Sequence, residues 1–175
     1  MISGFGITLE ELQEHHLELV RSWRNSPEIT AMMEFNQHIT AVEQLEWFKT
    51  LAQNTNCYFV IRYNNQLIGL THLNKFDDEA KTAHAGLFIA DKRYFGTGIS
   101  YGVSLLILHH GFNALNLNAI FAKVKTSNAA ALAYNKILGY TFEQTLNNTF
   151  GLYKLTKLAF APNSERLSKL LNGYL

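Results

Sequence analysis

The stretch "RYFGTGIS", residues 93–100, sits between a short apolar run, "HAGLFIA", and a run of helical length, "ISYGVSLLILHHGFNAL". A short apolar run bounded by polar residues has the pattern of a buried strand, and the longer one that of a helix. Two glycines therefore stand where a strand hands over to a helix. That junction constrains the chain strongly, because a helix start carries unpaired backbone N–H groups and the positive end of the helix dipole. Glycine lets an anion come close to those groups, so a phosphate fits there. Taken alone, the string also fits a plain turn that needs glycine for steric reasons. Two other phosphate-binding patterns are excluded. A dinucleotide fold needs an early G-x-G-x-x-G with an acidic residue after the next strand, and a Walker loop needs G-K-[ST]; neither is present.

The remainder of the chain predicts one domain, 1–175, around this junction. Its 175 residues are 47% hydrophobic and 17% charged, enough for a core, and two prolines with no Ser/Gly-rich tract leave no linker. A net charge of +1 gives no reason to expect nucleic acid or an acidic membrane as partner. The start, "MISGFGITLEE", lacks the pattern of a signal peptide, and no apolar run reaches the length of a membrane span. The single cysteine, Cys57 in "NCYFVIR", reads as a buried strand position, in keeping with a cytoplasmic location.

Along the chain, "FGITL" opens a first strand and "LQEHHLELVRSWRNS" follows at helical spacing. A second helix is predicted in "TAVEQLEWFKTLAQ", where Thr40 and Glu43 make a capping box. "CYFVIRY" and "QLIGLTHL" form a hairpin with Asn64 and Asn65 at the turn. The strand "TAHAGLFIA", the glycine loop and the long helix come next, then the strand "NAIFAKVK" and the helix "SNAAALAYNKILGY", which stops at Gly139. Strands near "TFEQTL" and "GLYKLTKLAF" and a polar helical tail, 163–175, complete the chain. The order implies a mixed α/β fold around one sheet.

Two motifs now add to this order: "GLFIADKRYFGTG", with R-x-x-G-x-G after a strand, and "NAAALAYNKILGY", with Asn128, Ala131, Leu138, Gly139 and Tyr140 in register. Together they resemble the GNAT superfamily of acyl-CoA-dependent N-acetyltransferases, over nearly the whole chain. The N-terminal "LVRSWRNSPEITAMM" and "HITAVEQLEWF" further resemble the branch that acetylates amino-sugar nucleotides. The resemblance implies a mostly antiparallel mixed sheet with a splayed parallel strand pair, flanked by helices, and acetyl-CoA as cosubstrate without a metal. Its pyrophosphate would lie on the loop of Arg93, Tyr94, Phe95, Gly96, Thr97, Gly98, Ile99 and Ser100, with Arg93 adding a charge and Thr97 or Ser100 a hydroxyl. The pantetheine arm would run along the strand ending at Phe88, Ile89 and Ala90. Asn128 matches a CoA-contacting asparagine and also suits a helix N-cap.

For the base, the resemblance puts His84 where the family has a glutamate, with His72 as second candidate; either also suits a structural histidine. For the acid, the family's tyrosine position falls on Asn135, while Tyr134 precedes it by about 100° of helix rotation. Tyr134, Asn135 and water all remain open as proton donors. Trp23, Arg24, Asn25, Glu34, Trp47 and Phe48 are candidates for the acceptor pocket, Arg24 on a phosphate, although Trp23 and Trp47 fit core positions equally. His15, His16, His109 and His110 lack the spacing of a metal pair and read as surface or packing residues. The expected partner is a small amine, foremost a nucleotide-linked deoxyamino sugar, acting on a monomer or homodimer. A ribosomal-type protein N-terminal acetyltransferase and a non-catalytic CoA-binding module are the competing readings.

Overall fold

Two left-handed turns build the first half of the sheet in the computed structural model, which describes residues 1–34, 37–51 and 56–173. Phe5 and Gly6, at φ 54° and 68°, close a hairpin between β1 (Ile2–Gly4) and β2 (Ile7–Glu11). The single strand expected across "FGITL" is thereby corrected, since a residue in the left-handed region turns the chain back on itself. Asn64 and Asn65, at 48° and 60°, close the second hairpin, between β3 (Cys57–Tyr63) and β4 (Gln66–Asp77), where the sequence places it.

The first helix is shorter than predicted. Leu12 still donates its N–H to the Tyr58 carbonyl at 2.9 Å, continuing the line of β2, and α1 (Leu17–Arg24) begins only after a 3-10 turn at Glu14–His16. A short α2 (Pro27–Thr30) follows. In α3 (Ala41–Leu51) the capping box forms as expected: Glu43 N–H donates to Thr40 Oγ1 at 3.2 Å, and Thr40 N–H to Glu43 Oε2 at 2.8 Å. Residues 52 and 53, the end of that predicted helix, lie outside the described residues.

Next come β5 (Thr82–Ile89), α4 (Ile99–His109) with a π-helical turn at His110–Ala114, β6 (Ala119–Lys125) and α5 (Ala129–Leu138). Gly139, at φ 101°, ends α5 as its sequence predicts. The chain closes with β7 (Thr141–Thr145), β8 (Phe150–Thr156) and α6 (Lys157–Leu171). Here the tail reading is corrected. Thr156 caps α6 by accepting from Ala159 N–H, so "KLAF" is helix rather than strand, and Pro162 within the helix removes only one N–H. Phe160, Ser164, Leu167 and Leu171 are buried at helical spacing, which makes α6 part of the core.

The eight strands run in the order β1-β2-β3-β4-β5-β6-β8-β7. All neighbours are antiparallel except β5 and β6, which are parallel. That pair is registered at only three positions, Thr82↔Ala119, Ala83↔Ile120 and His84↔Phe121. Beyond them β5 stays with β4 to Ile89, and β6 stays with β8 to Lys125, so a wedge opens in the middle of the sheet. The α4 side buries Ile61, Ile68, Ala83 and Ile89 against Ile99, Val103 and Leu105, while the α1 and α3 side packs Val60 and Leu70 against Leu17 and Val20. Each fully buried aliphatic side chain contributes about 1.5–3 kcal/mol, so the apolar face of α4 holds its first turn firmly at the mouth of the wedge.

Candidate active site

The glycine loop joins β5 to α4 at the open end of the wedge. Asp91 starts it by accepting the Arg93 N–H at 3.0 Å, and a 3-10 turn at Lys92–Tyr94 follows. Gly96 and Gly98 have φ of 73° and 86°, and Gly98 is the N-cap of α4 with no side-chain cap. A Cβ at Gly96 would meet nothing within 4 Å, so glycine is needed there for the backbone angle and not for space. Among the described residues, the N–H groups of Gly96, Gly98, Ile99 and Ser100 have no hydrogen-bond acceptor. Four unpaired donors around a helix start make a cradle for an oxyanion.

Other loop residues stand differently from expectation. The Arg93 guanidinium is gripped by both oxygens of Asp91 and by Gln66 Oε1, so its charge is already countered. Thr97 Oγ1 donates to the Tyr94 carbonyl at 2.8 Å, which leaves Ser100 as the hydroxyl without a protein partner among the described residues. Ala90 N–H is taken by the Ile68 carbonyl at 2.7 Å, Phe88 lies on the α1 side and Ile89 is buried beneath α4. Tyr94 packs edge-on to Tyr63, and Phe95 is exposed.

Helix α5 closes the loop from the side. Asn128 Oδ1 accepts from Ala131 N–H at 3.0 Å, the capping half of its two readings. Asn135 is buried, its Nδ2 bonded back to the Ala131 carbonyl. Tyr134 donates its phenol proton to the Ser100 carbonyl at 2.8 Å, and the Ser104 hydroxyl bonds the same phenol oxygen. Burial raises the Tyr134 pKa, so the phenol stays protonated, with its proton directed at the Ser100 carbonyl.

The opposite face of the sheet carries a second constellation, laid out by strand alternation in two rows: Tyr58, His72 and Gly86, then Asn74, His84 and Phe121. The His72 ring stacks on Tyr58 at 4.8 Å and lies directly over Gly86, where a Cβ would come within 2.3 Å of it. Burial, assisted by the charge of Arg24, brings the His72 pKa down to about 4. His84 stands at the vertex of the wedge, tilted on Phe121 at 5.6 Å. Burial first, then Lys75 and Lys123, lower its pKa, so its imidazole is neutral at neutral pH.

Above these rows, Arg24 lies 5.0 Å over the Trp47 ring and donates to Gln44 Oε1 at 3.0 Å, with no carboxylate partner among the described residues. Trp47 meets Tyr58 edge-on at 5.1 Å, Asn74 Nδ2 donates to the Tyr58 hydroxyl at 2.9 Å, and Trp23 meets Phe88 at 6.3 Å. Asn25 acts as a brace: its amide both donates to and accepts from the Ile39 backbone, at 2.8 Å each way. Phe48 belongs to the core under α3. Glu34 pairs with Lys123 on β6, Glu28 with Lys92, and Lys125 Nζ reaches the Ala31 carbonyl at 3.0 Å, so the α2 segment is strapped across the wedge. Gln44, Tyr58, Asn74 and Lys123 escaped the sequence reading; the period-2 pattern of "NCYFVIR", which sets Tyr58 on the face of Val60, was the one available signal for Tyr58.

Comparison with known proteins shows the family and the fold of this chain. The acetyltransferase (GNAT) domain family matches residues 7–141. The acetyltransferase PseH of Campylobacter jejuni is 28% identical over 123 residues, 70% of this chain and 74% of that protein. Among solved structures, the spermidine N-acetyltransferase from Vibrio cholerae, in complex with CoA and spermine, superposes with a TM-score of 0.80 at 19% identity, covering 90% of this chain and 99% of that one. The aminoglycoside acetyltransferase AAC(6')-Ib, in complex with coenzyme A, gives 0.76 at 18% identity, covering 89% and 98%.

Proposed function

Because this chain belongs to the acetyltransferase (GNAT) family and is an acyl-CoA-dependent N-acetyltransferase, we propose that it moves an acetyl group from acetyl-CoA to the amine of a nucleotide-linked deoxyamino sugar. Acetyl-CoA supplies the acyl group as a thioester already activated toward an amine. The free N–H groups of Gly96, Gly98, Ile99 and Ser100 hold its pyrophosphate, and the wedge between β5 and β6 takes the extended arm against unpaired strand backbone. The amine enters from the α1 and α3 face. His84, neutral and at the vertex, accepts the proton that the amine sheds as its nitrogen bonds the acyl carbon and the C–S bond breaks. Tyr134 serves as a positioning residue for the first turn of α4, since its proton is committed to Ser100, and the departing thiolate takes its proton from solvent.

The observation that carries the choice of acceptor is the character of the pocket over the sheet. It has aromatic walls in Trp23, Trp47 and Tyr58, suited to the faces of a sugar or a base, and a guanidinium without a carboxylate. Polyamines and aminoglycosides, which are polycations, call for acidic partners; the carboxylates flanking the wedge, Glu28 and Glu34, are already taken by lysines. The resemblance of "LVRSWRNSPEITAMM" and "HITAVEQLEWF" to the amino-sugar-nucleotide branch supports the same reading. The test is a panel of acceptors with acetyl-CoA, read by mass spectrometry: UDP-linked amino sugars, spermidine, kanamycin and a short peptide with a free N-terminus. Acetylation of a UDP-amino sugar well above the rest is expected. Preferential turnover of spermidine, kanamycin or the peptide overturns the choice.

A further inference from the structure

Gln44 is 1% exposed, and its Nε2 is the buried side-chain atom among the described residues that finds no hydrogen-bond partner. The orientation of its amide is chemically forced. Arg24 offers only donors, so Oε1 must face it, and Nε2 is left over. The surroundings repeat the imbalance. Arg24 uses one of its five N–H groups on Gln44, and Tyr58, whose oxygen accepts from Asn74, has no acceptor for its own proton among the described residues. Donors accumulate here without acceptors, around a partly buried cation with no anion beside it. A fold that leaves such a group uncompensated sacrifices stability unless something else supplies the charge.

We infer that Arg24, aimed by Gln44 and flanked by the Tyr58 hydroxyl, is a phosphate-binding clasp for the acceptor, separate from the glycine loop that holds CoA. The inference rests on the proposed function and names the part of the acceptor that this pocket reads: a phosphate on its nucleotide, drawn against Arg24 over the Trp47 face. Gln44 is a positioning residue, since it acts through the guanidinium. Arg24 also lies close enough to His72 and Tyr58 to affect their ionisation, which places the clasp over the floor of the same pocket as His84.

The experiment uses protein saturated with CoA, so that the glycine loop is filled, and measures UDP binding by calorimetry. Wild-type protein is expected to bind UDP and not spermidine. Gln44→Glu places a carboxylate beside Arg24 and neutralises the clasp; UDP affinity should drop at least about tenfold, in line with the cost of losing a charge-assisted contact. Arg24→Met should lose as much, and Gln44→Met about threefold, from a guanidinium that is no longer held in place. A purely structural Gln44 predicts the opposite: Gln44→Glu would gain an ion pair and a higher melting temperature, with UDP binding intact, and that result overturns the inference. UDP binding that survives Arg24→Met in a folded protein overturns it too. If no UDP-amino sugar is acetylated while UDP binding still depends on Gln44, the acceptor assignment fails and the clasp stands; if a UDP-amino sugar turns over equally in wild type and Gln44→Glu, the clasp fails and the assignment stands.

Discussion

At the start of α4 the unpaired atoms are backbone N–H groups from four residues within five positions of sequence, Gly96 to Ser100. Across the sheet, the pocket draws Arg24 from α1, Gln44 and Trp47 from α3, Tyr58 from β3, His72 and Asn74 from β4, and His84 from β5. The first region depends on φ angles that glycine permits, and almost any side chain could replace its neighbours without changing the donors. The second depends on side-chain identity at every position and on the sheet register that brings them together. On the proposed function, the contrast gives the common task, holding a pyrophosphate, to the backbone, and the particular task, choosing an amine, to side chains.

The largest effect should come from attacking the backbone site directly. Gly98→Glu puts a carboxylate beside the unpaired N–H groups and forces a non-glycine residue to φ 86°, a strain of about 1–2 kcal/mol. CoA binding by calorimetry should fall by more than about 100-fold while circular dichroism stays native, because an anion then occupies the cradle. Undiminished CoA binding would mean that the loop is only a turn. Next in size is His84→Ala, which should lower kcat/KM by about 100-fold, the usual contribution of a general base, with CoA affinity unchanged. A base works when neutral, so activity should rise with pH through the His84 pKa. Burial and the nearby lysines lower that pKa, placing the ascending limb below about pH 6.5. Lys123→Met removes one of those charges and should move the limb upward. An ascending limb that stays in place in His84→Ala would assign it to the substrate amine instead. The smallest effect tests the seam between the two regions. Tyr134→Phe should raise the KM for acetyl-CoA about fivefold, since it loses both hydrogen bonds that its hydroxyl makes to α4, and change kcat less than about twofold. A hundredfold fall in kcat with KM unchanged would restore Tyr134 as the proton donor.

The same contrast explains what was legible in the sequence. Gly96, Gly98, Asn128 and Gly139 act within a few residues of their own position, through caps and left-handed turns, so local pattern finds them. The two hairpins show the limit of that rule. Asn64 and Asn65 announce their turn, whereas Phe5 is an apolar residue in a turn position, and only the glycines on either side of it, Gly4 and Gly6, mark the turn. Asn25 and Gln44 are a similar pair. Both are amides on or beside a helix, and only the approach of Ile39 to one and Arg24 to the other reveals that the first is satisfied and the second is not. For Tyr134 the sequence leaves the choice among Tyr134, Asn135 and water open, because the partner that engages the Tyr134 hydroxyl sits 34 residues away on α4.

The wedge between β5 and β6 has a closed end as well as an open one. Its vertex is the His84–Phe121 pair, and the glycine loop stands at its mouth. With the pyrophosphate held at the mouth, the distance to the vertex is fixed by the rise of β5, about 3.3 Å per residue. On the proposed function the sheet would act as a ruler for the acyl chain. Under the proposed placement of CoA an acetyl group would end beside this vertex and each added methylene would press toward the Phe121 ring, so acyl length would be limited by where two strands rejoin and not by a pocket shaped around the acyl group.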